Sequence, residues 1–106
     1  MSTRGSCLCG AVAYVFEGEP MGVFHCHCSR CRKTRGVAHA TNMLLPQEGF
    51  RFERGEEELA RFKPKDALRF THVFCRTCGS SMPNVDTSRG FVILPMGSLD
   101  DAPSPC

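Results

Sequence analysis

The sequence predicts a small, mainly β domain stapled by metal, with little helix, on three observations. Seven of the eight cysteines fall into three tight clusters. Short β-branched and aromatic runs recur at short intervals between Gly and Pro breaks, and only one stretch has helical character. At 106 residues, with 8% aromatic content and no Trp, the chain has room for one domain, residues 1–106, whose modest core gains much from a metal staple.

Each element follows from local composition. Residues 11–16 are β-branched and aromatic and predict a strand, broken by Gly18, Glu19 and Pro20. Residues 23–26 make a short strand that delivers the chain to the middle cysteine cluster. Residues 29–35 are polar and basic, with no Gly or Pro before Gly36, which suits one or two helical turns. Residues 37–45 are apolar enough for a strand, ended by Pro46. Residues 50–55 alternate and predict a half-buried strand, followed by a solvated turn at Glu56, Glu57 and Glu58. Residues 68–74 alternate again and lead into Cys75, and residues 91–96 form a last apolar strand between Gly90 and Gly97. The Pro-rich tail, residues 100–106, is expected to be irregular. No repeats or linkers interrupt this order.

The outer cysteine pairs, Cys7 with Cys9 and Cys75 with Cys78, together supply four sulfurs. Four protein ligands make a closed, structural zinc site, whereas three leave a position for water or substrate. Gly79 lets the turn after Cys78 take a positive φ while an amide approaches sulfur. The middle cluster, Cys26, Cys28 and Cys31, supplies three sulfurs and lacks a fourth. His25 or His27 would close that site, although His27, wedged between two ligand cysteines, is expected to point away. His39 and His72 lie in strand patterns and are expected to be ordinary, partly buried histidines. Cys106, alone at the end, is not expected to be a ligand.

Eight cysteines also fit a secreted disulfide framework. Against it, residues 1–10 hold no charged segment followed by an apolar stretch, and a Cys-x-Cys pair grips one metal far more easily than it bridges to itself. The expected location is cytoplasmic. No run approaches the length of a membrane span, so no membrane partner is expected. Seven thiolates and two Zn²⁺ would lower the formal charge from +2 to about −1, so the basic balance is no argument for nucleic acid. Arg30, Arg32, Lys33 and Arg35 crowd beside the middle cluster. They form either a solvated helix face or a cationic patch that attracts the carboxylates of an anionic ligand. The lack of interleaved aromatics argues against nucleic acid.

Four motifs in order carry a family resemblance: Gly5-Ser6-Cys7-Leu8-Cys9-Gly10-Ala11-Val12, then Cys26-His27-Cys28-Ser29-Arg30-Cys31-Arg32-Lys33, then Phe74-Cys75-Arg76-Thr77-Cys78-Gly79-Ser80, then Gly97-Ser98-Leu99-Asp100-Asp101. The chain resembles the glutathione-dependent formaldehyde-activating enzyme family, which includes centromere protein V-like members and has the Mss4-like fold. The resemblance implies small antiparallel sheets, a structural zinc on Cys7, Cys9, Cys75 and Cys78, and a second zinc on Cys26, Cys28 and Cys31. It also implies a carbon–sulfur lyase that reversibly joins formaldehyde to the thiol of glutathione, giving S-hydroxymethylglutathione. Three thiolates on Zn²⁺ leave a net −1 and a weak Lewis acid, which suits thiol handling better than water activation. On this reading Cys26, Cys28 and Cys31 carry the activity, and Arg30, Arg32, Lys33 and Arg35 bind the acidic thiol. Family members usually continue past the Gly-Ser-Leu-Asp motif, so a substrate wall from that segment is missing or is supplied by another subunit, which makes a homodimer compatible with function. The alternatives are a non-catalytic zinc-binding interaction module on the same fold, and a redox or zinc-buffering protein.

Overall fold

The computed structural model describes residues 2–67 and 70–100. These form nine strands, one α-helix and three 3₁₀ turns. In chain order the elements are β1 (Ser2–Ser6), β2 (Ala13–Glu17), β3 (Gly22–Cys26), α1 (Ser29–Arg35), β4 (Ala40–Pro46), β5 (Phe50–Arg54), β6 (Leu59–Phe62), β7 (His72–Cys75), β8 (Asn84–Asp86) and β9 (Phe91–Pro95). They make three sheets, ordered β1-β2-β5, β3-β4-β9-β8 and β6-β7. Every strand pair is antiparallel. The mainly β class with little helix, built of small antiparallel sheets, is therefore what the molecule shows.

Most of the expected strands shift by a residue or two, each for a local reason. Ala11 and Val12 leave the strand because Val12 closes the first cysteine turn, its carbonyl accepting from the Cys7 amide at 3.0 Å. The strand expected from residue 37 begins at Ala40, because α1 ends on Gly36 at φ 63° and the Val37 amide donates back to the Arg32 carbonyl at 3.2 Å. Of the expected strand at residues 68–74, only the part from His72 is formed; Leu68 and Arg69 lie outside the described residues. Glu56–Glu58 is a 3₁₀ turn, entered from Gly55 at φ 77°. A Cβ on Gly55 would lie 2.0 Å from the Ala11 carbonyl oxygen, so glycine is required there for space as well as for its φ.

Two apolar clusters form the core. One gathers Cys7, Val12, Val73, Cys75 and Met82 around the outer cysteines. The other gathers Tyr14, Phe16, Leu45, Val92 and Leu94 between the two larger sheets. Phe52 packs against both, and so couples them. Because β2 is the central strand of its sheet and is covered on both faces, residues 13–16 are buried without alternation. Residues 97–100 return to β1: the Tyr14 and Ser98 hydroxyls lie 2.5 Å apart, the Ser6 hydroxyl donates to the Asp100 carboxylate at 2.6 Å, and the Asp100 amide donates to the Arg4 carbonyl at 2.9 Å. The Gly-Ser-Leu-Asp motif therefore serves to latch the late chain to the first strand.

Phe52→Ala should destabilise both clusters at once. We expect a loss of about 2–4 kcal/mol, the range for deleting an aromatic core side chain, in denaturant unfolding of the zinc-loaded protein. A loss below about 1 kcal/mol would show that the clusters are independent.

Candidate metal centres

The Sγ atoms of Cys7, Cys9, Cys75 and Cys78 lie within 4.8 Å of one another. Two turns of like construction present them. In the first, the Gly10 amide donates to the Cys7 carbonyl at 3.1 Å; in the second, the Gly79 amide donates to the Cys75 carbonyl at 2.7 Å. Gly10 and Gly79 both take positive φ, 82° and 79°, which frees nearby amides to face sulfur. The Val12 amide donates to Cys7 Sγ at 3.3 Å, and Ser80 Oγ lies 3.2 Å from Cys78 Sγ. Ser80 Oγ also accepts from the Leu8 amide at 3.0 Å, which ties the two turns together.

Sulfur separations test whether the set fits zinc. A tetrahedral ion with Zn–S of about 2.3 Å requires sulfurs about 3.8 Å apart. Here Cys7 and Cys9 are 3.6 Å apart, and Cys9 and Cys75 are 3.8 Å apart. The electrostatics agree. The Ser80 hydroxyl and amide hold Cys78 down to about 5, whereas Cys9, despite the Ala11 amide, is pushed up to about 12 by the thiols around it. Four sulfurs this close cannot all ionise without a cation among them. The donor set fits Zn²⁺.

Cys26, Cys28 and Cys31 form the second cluster, also within 4.8 Å of one another. Strand β3 ends on Cys26, and Cys28 caps α1, its sulfur accepting from the Cys31 amide at 3.4 Å. Cys26 and Cys28 sulfurs are 3.4 Å apart. The Cys31 amide holds Cys28 down to about 7, and burial pushes Cys31 up to about 12. Among the described residues no imidazole or carboxylate joins this trio, so neither His25 nor His27 completes it. The set suits a thiophilic ion with one position left over.

The three cysteines open on a cavity of about 240 Å³, walled by Arg35, Asn42 and Arg89 and by the apolar Phe24, Phe70, Val73, Met82 and Ile93. Of the four basic residues beside the cluster, only Arg35 enters this wall. Arg30 pairs with Asp66 at 3.3 Å on the surface, Arg32 Nε donates to the His27 carbonyl at 3.1 Å, and Lys33 is exposed. Arg35 donates through Nη1 to Asn42 Oδ1, while its Nε is buried without a partner. Among the described residues no carboxylate pairs with this guanidinium; burial lowers its pKa, and the three neighbouring thiols oppose that.

Two polar wall residues, Asn42 and Arg89, are not marked as site residues by the sequence. Asn42 is 2% exposed; a polar residue interrupting the apolar run 37–45 was the available signal. Arg89 sits in the turn before β9, bonded to Asp86 and lying over the Phe91 ring at 4.5 Å, and nothing in its neighbours in sequence marks it. His39 proves exposed rather than partly buried, because it precedes the first residue of β4; His72 is partly buried as expected. Cys106 lies outside the described residues.

A family model described as glutathione-dependent formaldehyde-activating enzyme matches residues 2–106. A solved crystal structure of a Rhodobacter sphaeroides protein is similar, at 28% sequence identity and TM-score 0.70, over 95% of this chain and 91% of that one. No curated protein matches the chain.

Two outcomes follow from the geometry. Cys75→Ser removes a fully buried sulfur from the four-cysteine set, and should leave the chain largely unfolded, because binding free energy at such a site is folding free energy. A soluble variant with the full thermal transition would refute the pairing. A mild chelator should remove about one zinc per chain from the three-cysteine cluster before circular dichroism reports loss of fold. Loss of both metals in one step with unfolding would contradict it.

Proposed function

Because the chain belongs to the glutathione-dependent formaldehyde-activating enzyme family, we propose that it is a zinc-dependent carbon–sulfur lyase that makes and breaks adducts between an acidic thiol and an aldehyde. The observation that carries this reading is the three-thiol cluster, which among the described residues has no fourth protein ligand, set in a cavity whose wall holds a half-buried arginine with a buried, unpartnered Nε and no carboxylate partner. Cys26, Cys28 and Cys31 hold the reacting zinc, while Cys7, Cys9, Cys75 and Cys78 hold a structural one. Bound there, zinc supplies an open position that takes up a thiolate or polarises an aldehyde oxygen.

In the adduct-forming direction a C–S bond forms between the thiol sulfur and the aldehyde carbon, and the thiol proton ends on the aldehyde oxygen. The protein's own groups bind and orient. Arg35 presents a charge-assisted donor to a substrate carboxylate or to the oxygen as charge develops on it. Asn42 holds that guanidinium in place through Nη1. Phe24, Phe70 and Ile93 keep water from the reacting sulfur. Volume favours a substrate of peptide size. Alone, the 240 Å³ cavity is small for such a ligand, but a neighbouring recess of about 310 Å³ shares Thr71, Asn84 and Arg89 with it. Together they fall within the roughly 300–1,000 Å³ of small-molecule sites. Arg35 at one end and Arg89 at the junction suit the two carboxylates of glutathione. Arg30, Arg32 and Lys33 then contribute at long range, through the field around the mouth.

Calorimetric titration of the zinc-loaded protein with glutathione, and then with its S-methyl derivative, tests this reading. Binding should weaken on methylation and at high salt, and Arg35→Gln should weaken glutathione binding by about tenfold, or ~1.4 kcal/mol. Equal binding of glutathione and its S-methyl thioether, or none by either, would make an interaction module the better account.

A further inference from the structure

Among the described residues only the two cysteine clusters bring three or more ligand atoms within 4.8 Å of one another, but beside the three-cysteine cluster three histidine rings lie close together. His39 lies with its ring centroid 4.7 Å from that of His25 and 5.2 Å from that of His27. Strand register explains the convergence. In the antiparallel pair β3–β4, His25 opposes Thr41 and Cys26 opposes Ala40, so one step further His27 faces His39. Residues two apart on an extended chain share a side, which sets His25 and His27 together against the single ring from the other strand.

All three side chains are exposed, so packing does not hold the rings in one orientation. His25 Nδ1 is 3.0 Å from the Thr41 hydroxyl. With that hydroxyl accepting, the proton sits on Nδ1 and Nε2 keeps its lone pair, the second-shell arrangement that orients a ligating histidine. Among the described residues the His27 and His39 rings make no hydrogen bond, and no carboxylate forms an ion pair with any of the three. Three imidazoles thus crowd together on the surface with nearly all of their nitrogens uncommitted.

We propose that His25, His27 and His39 form a third metal site, weaker than the cysteine clusters, that takes a divalent borderline cation such as Zn²⁺. Zinc bound to imidazole at about 2.0–2.1 Å needs ligand nitrogens about 3.4 Å apart, so binding requires the three exposed rings to turn toward one common point. An all-imidazole set selects Zn²⁺, Ni²⁺ or Cu²⁺ over Mg²⁺ and Ca²⁺, which need oxygen. Exposure leaves the remaining coordination positions to water, so the site is open and its ion exchangeable. It is separate from the three-thiol cluster, although His27 is flanked in sequence by two of those cysteines.

The test is equilibrium dialysis of the untagged full chain against micromolar free Zn²⁺, with metal counted by mass spectrometry. Wild type should hold one more zinc per chain than His39→Gln or the double variant His25→Gln, His39→Gln, while His72→Gln should match wild type. The difference between wild type and variant decides the matter, not the total. A cysteine cluster that took no zinc would refute the metal assignment above and still leave the third site measurable. Equal zinc content in wild type and both His39 variants would overturn the proposal, as would loss of the extra equivalent in His72→Gln. The surface position of the three rings means that the variants should fold, and circular dichroism identical to wild type confirms it.

Discussion

Four sulfur atoms brought within 4.8 Å of one another, from turns at opposite ends of the chain, are the constraint on which the rest of the structure depends. Cys9 and Cys75 are 66 residues apart in sequence. A chain of this size pays a loop-closure cost for such a contact and has a small core to offset it. Thiols alone offer little in return, since neutral S–H groups are weak hydrogen-bonding partners and ionised ones repel. The geometry is that of a set built around a cation. Cys7 and Cys75 also belong to one of the two apolar clusters, with Val12, Val73 and Met82 packed beside them. Metal ligation and hydrophobic burial would therefore be one event: closing the site seats the first turn against β7, and Phe52 packs against both clusters and carries that order to the second.

Legibility in the sequence tracked how local each determinant is. Helix α1 runs over Ser29–Arg35, as its composition predicts, because its cap, its first ligand and its terminating glycine all lie within nine residues. Strands with apolar faces, such as β4 and β9, were equally visible. By contrast β1 is Ser-Thr-Arg-Gly-Ser, with no apolar residue to betray it; it is a strand because β2 supplies partners for its backbone. β6, Leu-Ala-Arg-Phe, and β8, Asn-Val-Asp, do carry apolar residues but are too short to show a pattern, and they are strands because β7 and β9 pair with them. Pairing is a tertiary property, and propensity within such short segments is too weak to announce it.

The cysteine partition could be read from counting, but the basic run could not be sorted in that way. On a helix, residues four apart share a face. Arg35 stands four residues after buried Cys31 and follows it inward, while Arg30, Arg32 and Lys33 are turned away by one or two steps of about 100°. Knowing that the segment was helical and that Cys31 was buried would have picked out Arg35. Arg89 comes from a distant turn, and only the fold brings it to the cavity.

Arg35 also bears on why we propose the three-thiol cluster, rather than the four-thiol one, as the reacting centre. A half-buried guanidinium loses part of its hydration and gains from a counter-charge near it, and among the described residues no carboxylate pairs with Arg35. The nearest anionic groups are the thiols of Cys31, Cys26 and Cys28, which favour its charged form. Three thiolates around Zn²⁺ would carry a net −1, so ligand set and arginine together would come to neutrality. One negative charge brought in by a substrate thiolate would then meet a site that is already balanced, instead of one carrying surplus negative charge. At the four-cysteine site Arg76, whose charged form Cys75 favours, is already paired with Glu58 at 3.0 Å; Cys7 and Cys75 are buried among apolar side chains, and a closed set of ligands would have nothing further to admit. The same element, zinc bound by thiolate, is thereby suited to holding the fold in one place and to handling a thiol in the other, and what separates the two is one missing sulfur and one unpaired cation.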